Sequence, residues 1–414
     1  MGIFTNANLV NINIGNNVTY VNNTMAGAFY NSQNFNSPVY IPEGVTNIMN
    51  AFGNCQKLNQ PINIPDSVLS MCQAFTNAIA LNQPVMIGRN VNNMYGSFMN
   101  CKQFNQPVSI PSNVTTLHMC FSNCYNYNQP VSFEGNSISA NLDRIFYSCY
   151  NFNQPVNLPP NVTSLYYAFF NCQNFNAAVT IGEGTQNIAN AFQNCQKFNQ
   201  AVYIPASVTN TSNCFNNCFN LNQPITFGEG ILSINGVLRG CNKFNQPITI
   251  PEGVTTLTQS FYYCSEFNQP VDIPDSAISA IYTFASCYKL NQPITFGNNL
   301  QSLAFVLSGC TNFNQPITIP ESVNNLCTAF NYCSNMAQDI TILSTKVDNV
   351  KSMLYSKNSN KRINIFVPAG SITNTKVANT SASYSITATA ITWTADADNN
   401  CYYNTVRNIY VYYQ

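Results

Sequence analysis

Cys101-Lys102-Gln103-Phe104-Asn105-Gln106-Pro107-Val108 decides the fold, because nearly the same eight residues return along most of the chain. With the Phe as marker, the equivalents are Phe35, Leu58, Leu81, Phe104, Tyr127, Phe152, Phe175, Phe198, Leu221, Phe244, Phe267, Leu290, Phe313 and Met336. These 14 copies are 23 residues apart, except for one step of 25 between Tyr127 and Phe152. A fixed period of this size is the signature of a solenoid and outranks any local propensity.

Working outward, each repeat reads Val-Thr-x-Leu-x-x-Ala-Phe-x-Asn-Cys-x-x-Phe-Asn-Gln-Pro-Val-x-Ile-Pro-x-x, as from Val162 through Cys172 and Phe175. Apolar residues alternate over short distances, clearest in Ile248-Thr249-Ile250 between Pro247 and Pro251. Such alternation reads as a short strand whose prolines mark corners, since proline cannot donate to a ladder. No repeat contains the 10 to 12 periodic residues that a helix needs. Two short strands per repeat are expected, one at Val-x-Ile and one near Val-Thr-x-Leu, with a tight turn around Ala-Phe-x-Asn-Cys. One repeat cannot bury its own apolar side, so stacking must supply the core. The marker residues and the Phe six before each (Phe52, Phe75, Phe98, Phe121, Phe146, Phe169, Phe192) should form internal columns. The Asn after the marker, from Asn36 to Asn314, should form an amide ladder that closes the turn.

Composition narrows the function. Charged residues are 7% of the 414 and the net charge is zero, so there is no basic stripe to neutralise phosphates and nucleic acid is not an expected partner. The same neutrality argues against anionic membranes, and no apolar run approaches the ~18 residues of a membrane span. The start, Met1-Gly2-Ile3-Phe4-Thr5-Asn6, shows no secretion signal. Of the 17 cysteines, 12 stand three residues before a marker, from Cys55 to Cys333. Stacking makes them a ladder of parallel thiols at roughly 4.8 Å, too far apart and wrongly directed for disulfides. Cys120/Cys124 and Cys214/Cys218 have zinc-pair spacing but lie four repeats apart, about 20 Å, so no metal site is expected.

The motifs Val-Thr-x-Leu, Ala-Phe, Asn-Cys and Phe-Asn-Gln-Pro-Val resemble the BspA-like leucine-rich repeats, particularly the surface-protein branch with Phe-Asn-Gln repeats. Met336-Ala337-Gln338-Asp339-Ile340 keeps the Asp of that pattern. The resemblance covers roughly residues 10 to 340. It implies a mainly β leucine-rich-repeat solenoid and a role in surface attachment or in binding protein or glycan.

Three parts follow: an N-terminal capping unit at 1–34, the solenoid at 35–340 and a C-terminal β cap or docking module at 341–414. In the first, Ile12-Asn13-Ile14-Gly15-Asn16-Asn17-Val18 imitates a later repeat. The last holds the only Trp, Trp393, a closing segment Ile363–Ser371, strand-like alternation at Tyr384–Ala388 and Ile409–Tyr412, and tyrosines suited to homo-oligomerisation. The long repeat carries its two extra residues between Phe133 and Phe146, in a segment that includes Glu134, Asp143 and Arg144. Around it variable positions turn aromatic: Tyr125, Tyr147, Tyr150, Tyr166, Tyr167 and Phe170 are the candidate ligand-binding residues, suited to stacking on sugars or to protein contact.

His118 is the only histidine, beside the core position Leu117, and no carboxylate pair, phosphate loop or nucleophile elbow is present. No enzyme and no cofactor are expected. Two readings stay open. One is a recognition protein for a cell-surface protein or glycan, carried on a phage virion at its tail or surface for host attachment, or acting as a bacterial adhesin. The other is an architectural virion or filament subunit that binds only other virion proteins. Either places the chain in a virion or outside the cell.

Overall fold

The computed structural model describes residues 6, 21–135, 141–354, 362–368, 394–396, 401–404 and 409–413. The early imitation at Ile12–Val18, Trp393 and the alternation at Tyr384–Ala388 lie outside the described residues. The chain forms two compact units, Met1–Val208 and Thr209–Gln414. Each is a parallel β-solenoid with one repeat per coil.

In the first unit the Val-x-Ile segments of five coils give β1 (Ile62–Asn63), β2 (Val85–Met86), β3 (Val108–Ile110), β4 (Val131–Phe133) and β5 (Val202–Ile204), whereas the equivalent segments at 39–41, 156–158 and 179–181 form no strand. β1 pairs with β2 and β3 with β4, parallel and in repeat register, Val108 opposite Val131. In the second unit come β6 (Ile225–Phe227), β7 (Val271–Asp272), β8 (Ile294–Thr295), β9 (Ile317–Ile319) and β10 (Ile340–Ile342). The parallel ladder runs on from β10 to β11 (Ile363–Val367) and then to β14 (Ile409–Tyr413). β13 (Cys401–Asn404) and β12 (Thr394–Asp396) add antiparallel strands beyond it.

Two expectations need correction. Ile248-Thr249-Ile250, the clearest alternation in the sequence, forms no strand: a cleft of about 440 Å³ lies between Ile248–Glu252 and Pro270–Asp275, so that segment has no ladder partner there. The second strand near Val-Thr-x-Leu shrinks to one bridging residue per coil, as in Asn93↔Thr116 and Thr256↔Ser279.

A run of consecutive turns replaces that strand and carries much of the stacking. Met94, Gly96, Phe98 and Asn100 donate their N–H groups to Thr116, His118, Cys120 and Ser122 of the next coil at 2.8–3.0 Å. Between them Ser97, Met99, Cys101 and Phe104 donate back to the residue three before within the coil. The alternation needs two left-handed residues four apart in every coil, here Gly96 (φ 54°) and Asn100 (φ 62°). Glycine and asparagine suit that conformation, which costs other residues about 1–2 kcal/mol.

The core is two aromatic columns. Phe29, Phe52, Phe75, Phe98, Phe121, Phe146, Phe169 and Phe192 stack at 5.3–5.7 Å between ring centroids. The marker column follows at 5.9–6.0 Å from Phe104 to Phe198. The ladder thiols donate to the carbonyl of the column residue one coil back: Cys101 to Phe75 and Cys172 to Phe146, both at 3.0 Å, and Cys264 to Leu238 where the column carries a leucine. Burial pushes these thiols up, to about 12 for Cys55 and Cys333, and the 16 cysteines from Cys55 to Cys333 are all free.

The Asn ladder forms with its own chemistry. Asn82 Oδ1 accepts the backbone N–H of Asn105 at 2.9 Å, and Asn105 Oδ1 accepts that of Asn128 at 2.8 Å. Gln106 Nε2 adds a bond to the Asn82 carbonyl at 3.1 Å. A second ladder joins the Asn before each Cys, with Asn100 donating to Asn77 at 2.7 Å and Asn123 to Asn100 at 2.8 Å.

Candidate functional site

Because every coil has the same register, a side chain's place is fixed by its distance from the marker. The residue eight before the marker is the first left-handed position of its coil, and the residue five before it directly precedes the second. In most coils they are small or polar. In the two coils after the long step they are Arg144 and Tyr147, then Tyr167 and Phe170.

The ladder is back in register by Asn141, which bridges to Ser164, so the extra residues fall between Glu134 and that point. Residues 136–140 of the segment lie outside the described residues. Glu134 N–H bonds the Ile110 carbonyl at 2.9 Å, and its carboxylate accepts from Ser109 at 2.6 Å. Beyond the insertion Asp143 accepts from Ser164 Oγ and from the Tyr166 N–H at 3.1 Å, which fixes the start of the next turn run.

Four of the six sequence candidates converge. Tyr147 stacks on Phe170 at 4.8 Å, Tyr167 packs edge-on against Phe170 at 5.1 Å, and Tyr166 meets Tyr167 edge-on at 4.4 Å. Arg144, absent from those candidates, lies over both tyrosines at 5.3 and 5.4 Å. The rings of Tyr147, Tyr167 and Phe170 line a cleft of about 620 Å³ with Arg144, Met119 and Gln193. All are half-buried, presenting part of each ring to solvent. Burial and the adjoining Tyr166 hold the Tyr167 phenol above its usual range, so it stays a neutral hydrogen-bonding group.

Two features separate this cluster from ordinary packing. Arg144 (φ 55°), Tyr167 (φ 56°) and Met119 (φ 59°) are left-handed at the position that Gly96 and Gly236 fill elsewhere. Bulky residues there work against the backbone, a pattern that gathers at functional sites. The described residues also contain only two ion pairs, Arg89–Asp66 and Lys289–Glu266, so Arg144 has no carboxylate partner among them.

Tyr125 and Tyr150, the other two candidates, stand two before their markers and stack on each other at 4.7 Å, with Lys102 over Tyr125 at 5.5 Å. They belong to a different stretch of surface, beside the amide ladders. There Asn105, Asn128, Asn153 and Asn176, with the Asn126, Asn151 and Asn174 row, line a groove of about 590 Å³. The side-chain oxygens of the first row are held by backbone N–H groups, which fixes the direction of their Nδ2 donors.

His118 takes no part in either place: it stacks on Tyr95 at 5.5 Å, and burial lowers its pKa, so it is neutral. Among the described residues no group of three or more His, Cys, Asp and Glu stands close enough to hold a metal ion, and no helix is long and apolar enough to cross a membrane.

Fold and surface together define a leucine-rich-repeat solenoid, mainly β, with side-chain clefts on its coils. The chain belongs to the family described as Mycoplasma protein of unknown function, DUF285, which matches residues 1–110, 88–183, 186–296 and 278–386. Among solved structures it is similar to a leucine-rich repeat protein from Bacteroides ovatus, with a TM-score of 0.53 and 18% identity over 77% of this chain and 86% of that one. It is also similar to a leucine rich cell surface protein from Faecalibacterium prausnitzii, with a TM-score of 0.37 and 22% identity over 85% of this chain and 81% of that one. No curated protein matches the chain.

Proposed function

We propose that the chain is a non-catalytic recognition protein that holds a cell-surface glycan in the cleft of Tyr147, Tyr167 and Phe170. The observation that carries this reading is a cluster of large, half-exposed rings in which Tyr167, and an Arg144 with no ion pair among the described residues, occupy backbone positions where glycine or asparagine is the less costly choice. Ring faces receive the apolar face of a sugar, and the adjoining amides of Asn123 and Gln193 and the phenol of Tyr167 supply hydrogen bonds to hydroxyls. The Asn groove beside Tyr125 and Tyr150 offers a second polar track for the same polymer.

The setting we infer is outside the cell, with the chain on a virion for host attachment and its sequence placed with the surface-protein branch of the BspA-like repeats. Residues 341–414 serve in this reading as the cap or docking module. The test is a glycan array probed with the labelled full-length chain and with Tyr147→Ala and Phe170→Ala. Selective binding that both substitutions abolish, at unchanged melting temperature, is expected. Equal signals from all three proteins, or no array signal, would overturn the glycan assignment.

A further inference from the structure

We infer that the unit Thr209–Gln414 carries a second binding site, built from Arg239, Gln259, Tyr262, Tyr263, Tyr282 and Phe305, and that its ligand is a carboxylated sugar. The inference rests on the reading of the first cleft as a glycan site, and extends it to a new place and a ligand class.

The geometry repeats the logic of the first cluster. Arg239 and Tyr262 stand five before their markers, as Tyr147 and Phe170 do, and Tyr282 and Phe305 stand eight before, as Arg144 and Tyr167 do. Arg239 lies over the Tyr262 ring at 5.3 Å. Tyr262 meets Tyr263 edge-on at 4.4 Å and Tyr282 at 5.8 Å, and Tyr282 stacks on Phe305 at 4.2 Å. The rings run through three successive coils and are open to solvent, Tyr263 at 43% and the others partly.

Their backbone positions are costly ones for aromatic residues. Gln259 (φ 60°), Tyr263 (φ 63°), Tyr282 (φ 56°) and Phe305 (φ 58°) are all left-handed, where coils of this unit elsewhere use Gly236, Gly240 and Gly309. An aromatic at such a position gives up stability that glycine or asparagine keeps.

The charge selects the ligand. Arg239 Nη1 donates to Gln259 Oε1 at 3.0 Å, which fixes the guanidinium at the edge of the ring row. Neither Arg239 nor Arg144 is in an ion pair among the described residues. A guanidinium has five N–H donors in a fixed fork, and a planar carboxylate takes two of them at once. A ring face for the sugar beside a fork for its carboxylate fits sialic or uronic acid sugars.

The test is isothermal titration of the full-length chain with sialyllactose and trigalacturonate, with lactose and maltotriose as neutral counterparts. The expected result is a carboxylated sugar bound at two sites per chain. Tyr282→Ala with Phe305→Ala, and separately Tyr147→Ala with Phe170→Ala, should each reduce this to one, and Arg239→Gln should weaken one site about tenfold. Melting curves check folding, and Tyr282→Asn, which suits the left-handed backbone, repeats the test should the alanine pair unfold. One site per chain, unchanged by the Tyr282 and Phe305 substitutions, would remove the second site and leave the first. Binding to neither carboxylated sugar would overturn the carboxylated-sugar assignment at both places, while the reading of the first cleft as a glycan site stands or falls with the glycan array, and equal binding of the neutral sugars would overturn the charge assignment.

Discussion

At Tyr127 the marker column carries a hydroxyl where neighbouring coils carry phenylalanine, and that hydroxyl is buried with no hydrogen-bond partner among the described residues. A buried unpaired hydroxyl costs about 1–3 kcal/mol. Tyr127→Phe is therefore expected to raise the melting temperature, and an unchanged or lower value would show that the group finds a partner. Asn105 presents the opposite case, since its side-chain oxygen satisfies the Asn128 N–H. Asn105→Leu is expected to cost about 1–3 kcal/mol, whereas Gln103→Leu removes only an exposed bond to Asn126 and should be within about 0.5 kcal/mol of neutral. Equal melting temperatures for the two would sink the ladder as a source of stability. The Asn column was legible in the sequence because it recurs at one fixed offset. Its bond was not, because whether an amide oxygen meets another amide or a backbone N–H depends on the offset between coils.

Within a coil, the Val-x-Ile strands were legible from alternation and proline corners. The tight turn around Ala-Phe-x-Asn-Cys was legible too; its extension into a run of turns bonded from coil to coil was not, because left-handed residues four apart produce no hydrophobic period, and their trace in the sequence is Gly or Asn recurring four apart, as at Gly96 and Asn100. The same blindness hid Arg144 from the candidate residues, and the cluster around Tyr262 and Tyr282. Aligning coils on the marker and reading down the positions eight and five before it brings both out. Gly96 tests the turn geometry: Gly96→Val should cost about 1–2 kcal/mol more than Gly96→Asn, because a β-branched residue is poorly suited to φ 54°. Equal unfolding midpoints in denaturant would contradict the left-handed assignment.

For the molecule as a whole, the thiols provide a readout that needs no ligand. Burial raises Cys55 and Cys333 from 9.0 to about 12, and the other ladder cysteines with resolved shifts move in the same direction. A thiol whose folded pKa is raised contributes stability that is fully present below the unfolded pKa and lost as pH rises toward the folded one. Between pH 9 and about 12 each such thiol removes up to about 1.4 kcal/mol per pH unit. The melting temperature should be flat near neutral pH and fall steeply above pH 9. A flat profile up to pH 11 would show that the ladder is not buried as described.

The central claim is that an aromatic cleft on a repetitive, nearly uncharged solenoid recognises sugars. The measurement that tests it most directly is binding of the labelled full-length chain to a panel of intact bacterial cells, before and after mild periodate oxidation of their surface glycans. Selective binding to some strains, lost on oxidation and lost when Tyr147 and Phe170 become Ala, is the predicted result. Binding that survives both treatments, or no binding to any strain, would contradict it.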